Sequence, residues 1–554
     1  MENAFRESLR DPNSFTLSWE LVPGRGAFEK EQEAVFLAAQ AAVKGGRLHA
    51  LTITDNPGGN PAMSPSYLGI ELKKMGIEPV VHLAVKDKSR IQVETELYAL
   101  TRSGVDNVLV ITGDYPSFAF KGRAKPVFDL DTLHVLQLIQ ELNEGKVETQ
   151  KGPASVKPSS FFSGAAVSPF KRTEPELLGQ YYKLQKKLRA GAQFIVTQLG
   201  YDARKYHEVI QFMRRIGSDT PVMASLYVLS YPVAKAMNGG LVPGCVVTDK
   251  LLKLLEEERK APDKGKSARM LRAAKMYAML KGMGYSGVHI GGHGLKYEEV
   301  ESIIQQGEEI LPRWLEFVPE FDFPQEDGFY LFKRDDATGL NTTELSVRDQ
   351  VRARKSFYSL SFRFMHETLF DRRGVLFKPM RWLAKKMDGS SMEEAFTRIE
   401  HLVKTATNNC QQCGDCALLD IAYICPMSQC PKNQRNGPCG GSVDGYCEVY
   451  PGKKKCFWVR SYELLKPYHQ EDALAERIIP PVNWDLHHTS SWMNYYLGKD
   501  HSAPQVNGQE LAGEAGHDRA GRPNESFPVE GVLRQAPPPA PDIPPETVRA
   551  AGKD

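Results

Sequence analysis

In HALTITDNPGGNP (49–61) a short apolar run ends abruptly in polar residues, glycine and proline, and this pattern predicts the fold. Seven further apolar runs follow the same pattern over the first 310 residues: FTLSWEL (15–21), PVVHLAV (79–85), NVLVIT (107–112), SFFSGAA (160–166), QFIVTQ (193–198), PVMASLYV (221–228) and GVHI (287–290). Such nearly continuous apolar runs are typical of strands buried on both faces. Amphipathic stretches such as EKEQEAVFLAAQAAVKGG (29–46) separate them. Eight strand–helix repeats without a GxGxxG turn predict an α/β chain with a (β/α)8 TIM barrel.

Length and charge exclude several classes of protein. The chain has 554 residues, which is too long for one ordinary domain. Its 70 basic and 68 acidic residues give a formal charge of +2, so no polybasic surface is available for nucleic acid. No apolar run is long enough to span a membrane, and the acidic, polar N-terminus MENAFRESLRDPNSF does not resemble a targeting peptide. We therefore predict a cytoplasmic protein without nucleic-acid or membrane partners.

Composition divides the chain into four regions. We predict a barrel over residues 1–315 and a helical connecting or docking region over 316–400. A cysteine-rich domain follows over 401–470, and an extended C-terminal segment over 471–554. From about residue 500 proline, glycine, alanine and charged residues dominate, as in QAPPPAPDIPPE (535–546), which predicts disorder.

The cysteine-rich domain holds eight of the nine cysteines. Eight thiols are enough for two four-thiolate metal sites, which in a large unexported chain are a better explanation than disulfides. The opening C-x2-C-x2-C, followed by Cys-Pro at Cys425 or Cys430, resembles the cluster motif of bacterial ferredoxins, although the gap is longer. The spacing favours at least one [4Fe–4S] cluster, with zinc as an alternative or additional metal. The predicted ligands are Cys410, Cys413, Cys416, Cys425, Cys430, Cys439, Cys447 and Cys456.

Polar residues follow the ends of the predicted barrel strands, where barrel enzymes place their functional groups. Each of them alone has a structural explanation, such as a turn cap or a satisfied core histidine. Together they indicate a binding site, since buried polar groups need partners or a ligand. They include Glu20, Thr54, His82, Thr112, Gly113, Asp114 and Gln198.

The series WELVPGRG (19–26), LTITDNPGGNP (51–61), EPVVHLAVKDKSR (78–90), NVLVITGDYP (107–116) and LRAGAQFIVTQLGYD (188–202) resembles the methylenetetrahydrofolate reductases. The resemblance implies an oxidoreductase that acts on CH–NH groups in one-carbon metabolism and methionine biosynthesis. It would transfer a hydride from NAD(P)H to a flavin, FAD or possibly FMN, and then to 5,10-methylenetetrahydrofolate, which yields 5-methyltetrahydrofolate. We also expect a homo-oligomer.

The resemblance assigns roles to individual residues. Glu20 falls at the position of the general acid that protonates N10, a role that requires an apolar site to keep it protonated. Asp114 would contact pterin and flavin, and Gln198 would serve folate and nicotinamide. The positions expected to line the flavin are Thr54, His82, Thr112, Gly113, Asp114, Phe128 and one of the pair Lys186 and Lys187.

The chain departs from the family pattern at three places. Many members have an arginine at the position of Thr112 and an aromatic residue at the position of Asp55. The Tyr-Pro expected after the fifth strand is replaced by AAVSPF (165–170). These departures concern contacts to the flavin and leave Glu20 and Asp114 in place.

The segment GPCGGSVDGYCEVYPGKKKCFWVRSYELLK (437–466) resembles the cysteine-rich C-terminal domain fused to some methylenetetrahydrofolate reductases, which is related to a partner subunit of acetogen-type enzymes. This implies a second redox or structural centre, and electrons from NAD(P)H or from a redox partner protein through this domain. The alternative is a folate-dependent methyltransferase barrel with a zinc-held docking domain.

Overall fold

The computed structural model describes residues 3–351 and 354–503, together with the backbone of 505–506 and 509–510. Eight parallel strands form a closed barrel in the order β1-β8-β7-β6-β5-β4-β3-β2. The strands are β1 (Thr16–Leu21), β2 (Ala50–Ile53), β3 (Glu78–Ala84), β4 (Asn107–Ile111), β5 (Phe162–Val167), β6 (Phe194–Thr197), β7 (Val222–Tyr227) and β8 (Gly287–Gly291). The barrel closes where β1 pairs with β8, with Thr16 opposite Gly287. On its other side β1 pairs with β2, with Ser18 opposite Ala50. The predicted barrel and all eight of its strands are confirmed.

Eleven helices accompany the barrel in the described residues before 311. They are α1 (Ala4–Arg10), α2 (Lys30–Gly45), α3 (Pro65–Lys74), α4 (Arg90–Arg102), α5 (Thr132–Asn143), α6 (Glu174–Arg189), α7 (Ala203–Arg215), α8 (Tyr231–Asn238), α9 (Asp249–Glu258), α10 (Lys266–Gly282) and α11 (Tyr297–Ile310). Helix α1 packs Phe5 and Leu9 against apolar side chains of the strands, including Phe162 and Phe194. One end of the barrel is thus filled by apolar side chains, and the polar strand ends are left at the other.

The connecting region is only partly helical. A 3-10 segment (Leu311–Phe321) and a two-stranded antiparallel hairpin (Phe332–Arg334 with Asn341–Leu345) precede helix α12 (Phe357–Met365). The hairpin was not predicted from the sequence, because its strands are too short to show a period. A π-helical turn at His366–Phe370 follows α12, and helices α13 (Phe377–Met387) and α14 (Ser391–Asn408) complete the region.

The cysteine-rich domain contains little regular structure, with helices α15 (Pro426–Gln429) and α16 (Phe457–Leu465). The segment predicted as extended from residue 471 instead contains 3-10 turns (Glu471–Ala475 and Trp484–Leu486) and helix α17 (Ser491–Leu497). It packs back onto the cysteine-rich domain, where His501 pairs with Asp415 and Asp420. Most of the tail predicted to be disordered lies outside the described residues. No helix of the described chain is long and apolar enough to cross a membrane.

The cysteine-rich domain and the barrel share one apolar core. Trp458 and Tyr462 of α16 are buried in the same cluster as the barrel helices α5 and α6. Polar contacts fix the orientation: Lys466 pairs with Glu174 at 2.6 Å, and Asn436 donates to Asp131 at 2.9 Å. The two units are therefore docked firmly, and the cysteine-rich domain reaches the polar end of the barrel.

Candidate active site

A cavity of about 310 Å3 lies at the carboxyl ends of the barrel strands. Each strand is buried until its last residues, so the polar groups that follow it meet at this end. The structure brings most of the predicted site residues into the cavity lining, namely Glu20, Thr54, His82, Thr112, Gly113, Asp114, Lys187 and Gln198.

Glu20 is held by His289, a residue for which no role was predicted from the sequence. His289, in β8, places Nε2 3.3 Å from Glu20 Oε2, and its Nδ1 lies 3.2 Å from Ser18 Oγ. Since β1 pairs with β8, Ser18 and His289 are register partners. Glu20 keeps 23% of its side chain exposed to the cavity. The three side chains form a chain of polar contacts from the barrel interior to the cavity.

The electrostatics of this pair differ from the expectation. Burial alone would raise the pKa of Glu20. The hydrogen bond and the charge of His289 act in the opposite direction and together outweigh burial, so the pKa is lowered from its usual value. The nearby His82 has its pKa lowered to about 4 by burial and is neutral near pH 7. The lowered pKa favours the carboxylate form of Glu20, whereas the role implied by the resemblance requires a protonated acid.

Glu20, His82 and His289 also form a compact donor group. Their ligand atoms lie within 4.8 Å of one another, and one carboxylate with two imidazoles is a donor set that a divalent cation accepts. The arrangement can thus hold either a shared proton or a metal ion, and metal analysis of the protein distinguishes the two.

Asp114 is positioned by a turn that requires glycine. Gly113 has φ +80°, and a β-carbon on it would lie 2.7 Å from Lys86. The Gly58 N–H donates to Asp114 Oδ2 at 2.8 Å, which orients the carboxylate at the rim of the cavity. The neighbouring Asp55 instead accepts from the Ala84 N–H at 2.9 Å and pairs with Lys88, so its role is structural.

The cysteine-rich domain enters the cavity beside Thr112. Thr112 Oγ1 donates to Gln434 Oε1 at 3.3 Å, and Lys432 Nζ donates to the Gly113 carbonyl at 2.8 Å. Lys432 is only 3% exposed and pairs with the buried Glu448. A cation from the second domain thus stands beside the position where many members carry an arginine.

Two residues predicted to line the flavin lie elsewhere. Phe128 is buried, stacks on Tyr115 and is not part of the cavity lining. Lys186 points toward α16, with Nζ 5.7 Å from the Trp458 ring. Of the lysine pair only Lys187 reaches the cavity, where it donates to the Ala166 carbonyl and has its pKa lowered to about 7 by burial and by Lys183. Adjacent helix positions diverge by about 100°, so only one of the two could face inward.

Five buried polar atoms around the cavity have no hydrogen-bond partner among the described residues. They are Thr54 Oγ1, His82 Nε2, Thr132 Oγ1, Ser168 Oγ and Gln180 Nε2. Buried polar atoms are normally paired, so this ring of donors and acceptors indicates a polar ligand. The sequence analysis missed Thr132, Ser168 and Gln180. Ser168 lies in AAVSPF, the departure already noted.

The eight clustered cysteines divide into two groups of four. The first cysteine group consists of Cys410, Cys413, Cys416 and Cys425, which line one small cavity. Cys425 therefore completes the opening motif, an assignment that the sequence left open. Arg435 also lines this cavity, is 2% exposed, and has Nε and Nη2 without partners in the described chain. On the other side Lys404 Nζ lies 3.2 Å from Cys416 Sγ.

The second cysteine group borders the barrel. It consists of Cys430, Cys439, Cys447 and Cys456, whose thiols lie close enough to influence one another. Cys439 is itself part of the lining of the barrel cavity, with Gly440, Gly441 and Glu448. Lys171 donates to the Ser442 carbonyl at 2.7 Å, and Lys183 to the Gly437 carbonyl at 3.2 Å, which hold this loop in place.

Two family models match the chain. Residues 5–306 match the model described as methylenetetrahydrofolate reductase, and residues 390–485 match the model described as methylene-tetrahydrofolate reductase C terminal. The chain belongs to the methylenetetrahydrofolate reductase family. The predicted resemblance is confirmed for both parts, and folate-related oxidoreductase chemistry follows at the level of the family.

The solved structures that the fold is similar to are distant. An uncharacterized protein from Clostridium thermocellum that binds two copies of 5-methyl-5,6,7,8-tetrahydrofolic acid is 14% identical with a TM-score of 0.39, and the match covers 55% of this chain and 98% of that one. EDTA monooxygenase from Chelativorans sp. BNC1 is 12% identical with a TM-score of 0.33, covering 54% and 93%. A 2,3-dimethylmalate lyase is 13% identical with a TM-score of 0.31, covering 56% and 87%. Likeness this low does not indicate a shared function.

Proposed function

We propose that the protein reduces 5,10-methylenetetrahydrofolate to 5-methyltetrahydrofolate with a flavin, using electrons from NAD(P)H or from its own cysteine-rich domain. The observation that carries this proposal is that one cavity is lined both by the Glu20–His289 pair and by Cys439 of the second cysteine group. A proton source and a potential electron source thus face the same space. Bound there, the flavin would supply hydride transfer to the methylene carbon.

The cavity offers what a flavin requires. Its unpartnered hydroxyl, imidazole and amide groups fit a ring system rich in nitrogen and oxygen, and Thr54, His82 and Gln180 would hydrogen bond to it. Lys432, beside Thr112 and Gly113, would contribute positive charge where many family members use an arginine. FAD and FMN share the ring, so these contacts support either one.

Glu20 and His289 would deliver the proton that opens the five-membered ring of the substrate. A proton held between Glu20 Oε2 and His289 Nε2, which lie 3.3 Å apart, would pass from Glu20 to N10 of the folate. Since His82 stays neutral near pH 7, it does not compete for this proton. Asp114, half-buried at the rim, would stabilise the positive charge that develops on the iminium.

The cysteine groups fit iron–sulfur clusters better than zinc. Around one tetrahedral zinc, with Zn–S bonds of about 2.3 Å, sulfurs lie roughly 3.8 Å apart. Among the described residues no three cysteine sulfurs lie within 4.8 Å of one another. A four-iron cluster binds its four thiolates at separate corners and spaces them more widely. The first and second cysteine groups would each hold one [4Fe–4S] cluster, which would supply one-electron transfer.

The test is anaerobic purification of the full chain, with flavin, iron and zinc counted per chain and 5-methyltetrahydrofolate formation measured. We expect bound flavin, about eight irons per chain and product formation with NADH, NADPH or reduced methyl viologen. Flavin with zinc and no iron would leave a reductase but overturn the electron path. Absence of flavin would overturn the reductase and favour the methyltransferase alternative.

A further inference from the structure

Helix α14 is amphipathic in the opposite sense from an ordinary surface helix. Its buried residues are polar: Glu400, Lys404 and Asn408 are 1%, 5% and 7% exposed. Its outward side carries apolar residues that are 43–73% exposed, namely Met392, Ile399, Leu402 and Val403. A soluble helix normally turns its apolar stripe to the core. The inversion indicates that the outward side of α14 is covered by something other than this core.

The two neighbouring helices continue the same feature. Helices α12, α13 and α14 pack around a small core of their own that includes Phe370, Phe377 and Met387. Away from that core they expose further large apolar side chains: Phe357, Leu360, Phe364, Leu376 and Trp382. We call these five residues and the four on α14 the outer face. Exposed apolar surface on this scale marks an interaction site.

The α14 part of the outer face lies over the first cysteine group. The buried side of α14 contacts this group, because Lys404 Nζ lies 3.2 Å from Cys416 Sγ. Cys410 follows the last residue of the helix and its cap, Asn409. One helix, about 10 Å across, thus separates this part of the outer face from the first cysteine group. The second cysteine group lies at the barrel cavity, so the first is the one that α14 borders.

The charge beside the outer face is strongly positive. Helix α13 carries Lys378, Arg381, Lys385 and Lys386 and no acidic residue. Within the described ranges none of its three lysines forms an ion pair with an acid, and Lys386 Nζ lies 4.1 Å from the ring of Trp382. A surface that combines exposed apolar groups with unpaired cations is complementary to an acidic protein surface.

We infer that the outer face is the docking site of a small acidic electron-carrier protein that reduces the first cysteine group. The inference rests on the proposed function. Two carrier molecules would each lose one electron, and the two electrons with two protons from solvent balance the reduction of methylenetetrahydrofolate to the methyl product. One proton ends on N10 and the other, with both electrons, as the hydride on carbon.

The test uses the full chain with its metal centres and an acidic 2[4Fe–4S] ferredoxin as the probe. Lys385→Glu combined with Lys386→Glu, and separately Leu402→Asp, should each weaken ferredoxin binding roughly tenfold or more. They should slow ferredoxin-driven product formation as much, and leave the rate with reduced methyl viologen unchanged because the dye does not need to dock. Lys253→Glu and Leu254→Asp on α9, which are exposed positions of the barrel away from the outer face, are the controls.

Three results would overturn the docking site. The first is that the wild type does not bind ferredoxin, and the second is that the outer-face variants bind it as well as the controls do. The third is that Leu402→Asp converts a dimer to a monomer and still binds ferredoxin. The last would assign the outer face to a second copy of the chain. Failure of the proposed function gives a different pattern, since wild-type protein would then form no product even with the dye, whereas ferredoxin binding would still respond to the outer-face variants.

Discussion

The barrel cavity and the cysteine groups bury charge in opposite ways. In the cavity a carboxylate, Glu20, meets two imidazoles, and the polar atoms around it are neutral and unpartnered. At the cysteine groups buried cations lie beside the thiols, Lys404 and Arg435 at the first and Lys432 at the second, and each cation is paired with a carboxylate. Buried charge persists only when it is compensated. One region is therefore suited to hold a proton and a polar ligand, and the other to hold anionic thiolate centres.

The largest expected effect is on the proton source. Glu20→Gln should keep flavin binding and flavin reduction but lower folate reduction by about 10²–10⁴-fold, the usual contribution of a general acid. Stopped-flow kinetics of the two half-reactions measures both. Glu33→Gln, on the exposed side of α2, is the control and should remain fully active in both half-reactions. Full folate reduction by Glu20→Gln would remove the residue from the mechanism.

The next effect concerns the second cysteine group. Cys439→Ser should remove the metal of this group alone, so that iron per chain falls to about half, whereas Cys245→Ser, outside both groups, should leave the iron count unchanged. Elemental analysis and thermal unfolding of both variants check this. If Cys439→Ser retained all of its iron, the division of the eight thiols described above would be wrong.

The ion pair of Lys432 and Glu448, where the cysteine-rich domain borders the barrel cavity, is tested by removing one charge and then both. Lys432→Met should lower the free energy of unfolding by about 3–5 kcal/mol, because Glu448 is left buried and unpaired. The double variant Lys432→Met with Glu448→Gln should recover most of that stability. Flavin affinity, measured by fluorescence titration, should stay weakened in both variants. Restored flavin binding in the double variant would mean that Lys432 serves stability alone.

The smallest effect is a pH dependence at the contact between α6 and α16. Burial lowers the pKa of Lys186 to about 7, below its unfolded value of 10.5. Below pH 7 the folded protein holds a charged, buried lysine, and the free energy of unfolding is reduced by the full amount. This reduction becomes smaller as the pH rises to 10.5. From pH 7 to 9 the wild type should gain roughly 1–2 kcal/mol relative to Lys186→Met. Denaturant unfolding at both pH values measures it. The same change in unfolding free energy between pH 7 and pH 9 in both proteins would show that Lys186 titrates normally.

The sequence predicted the barrel and most of the cavity because both depend on local pattern. Apolar runs locate the strands, and the residues that follow them, such as Glu20 and Asp114, meet because strand ends of a barrel converge. His289 was missed as a partner of Glu20, since its contact depends on closure of the barrel between its first and last strands. Lys432 was missed because it comes from another domain, more than 300 residues along the chain from the Gly113 that it contacts.

The pairing of the cysteines could not be predicted for a similar reason. Spacing left Cys425 and Cys430 as equal candidates to complete the first motif, and only the fold around α15 separates them into the two groups. The lowered pKa of Glu20 was also beyond the sequence, because it results from the balance between burial and the bond to His289.

The proposed electron path requires the second cysteine group to lie beside the flavin site, and magnetic coupling between the two centres measures whether it does. The electron paramagnetic resonance signal of the flavin radical, with the metal centres reduced, should saturate only at high microwave power in the wild type and in Cys413→Ser, which alters the first group. In Cys439→Ser the signal should saturate at low power, because the nearby relaxing centre is gone. Equal saturation in the wild type and Cys439→Ser would contradict the account.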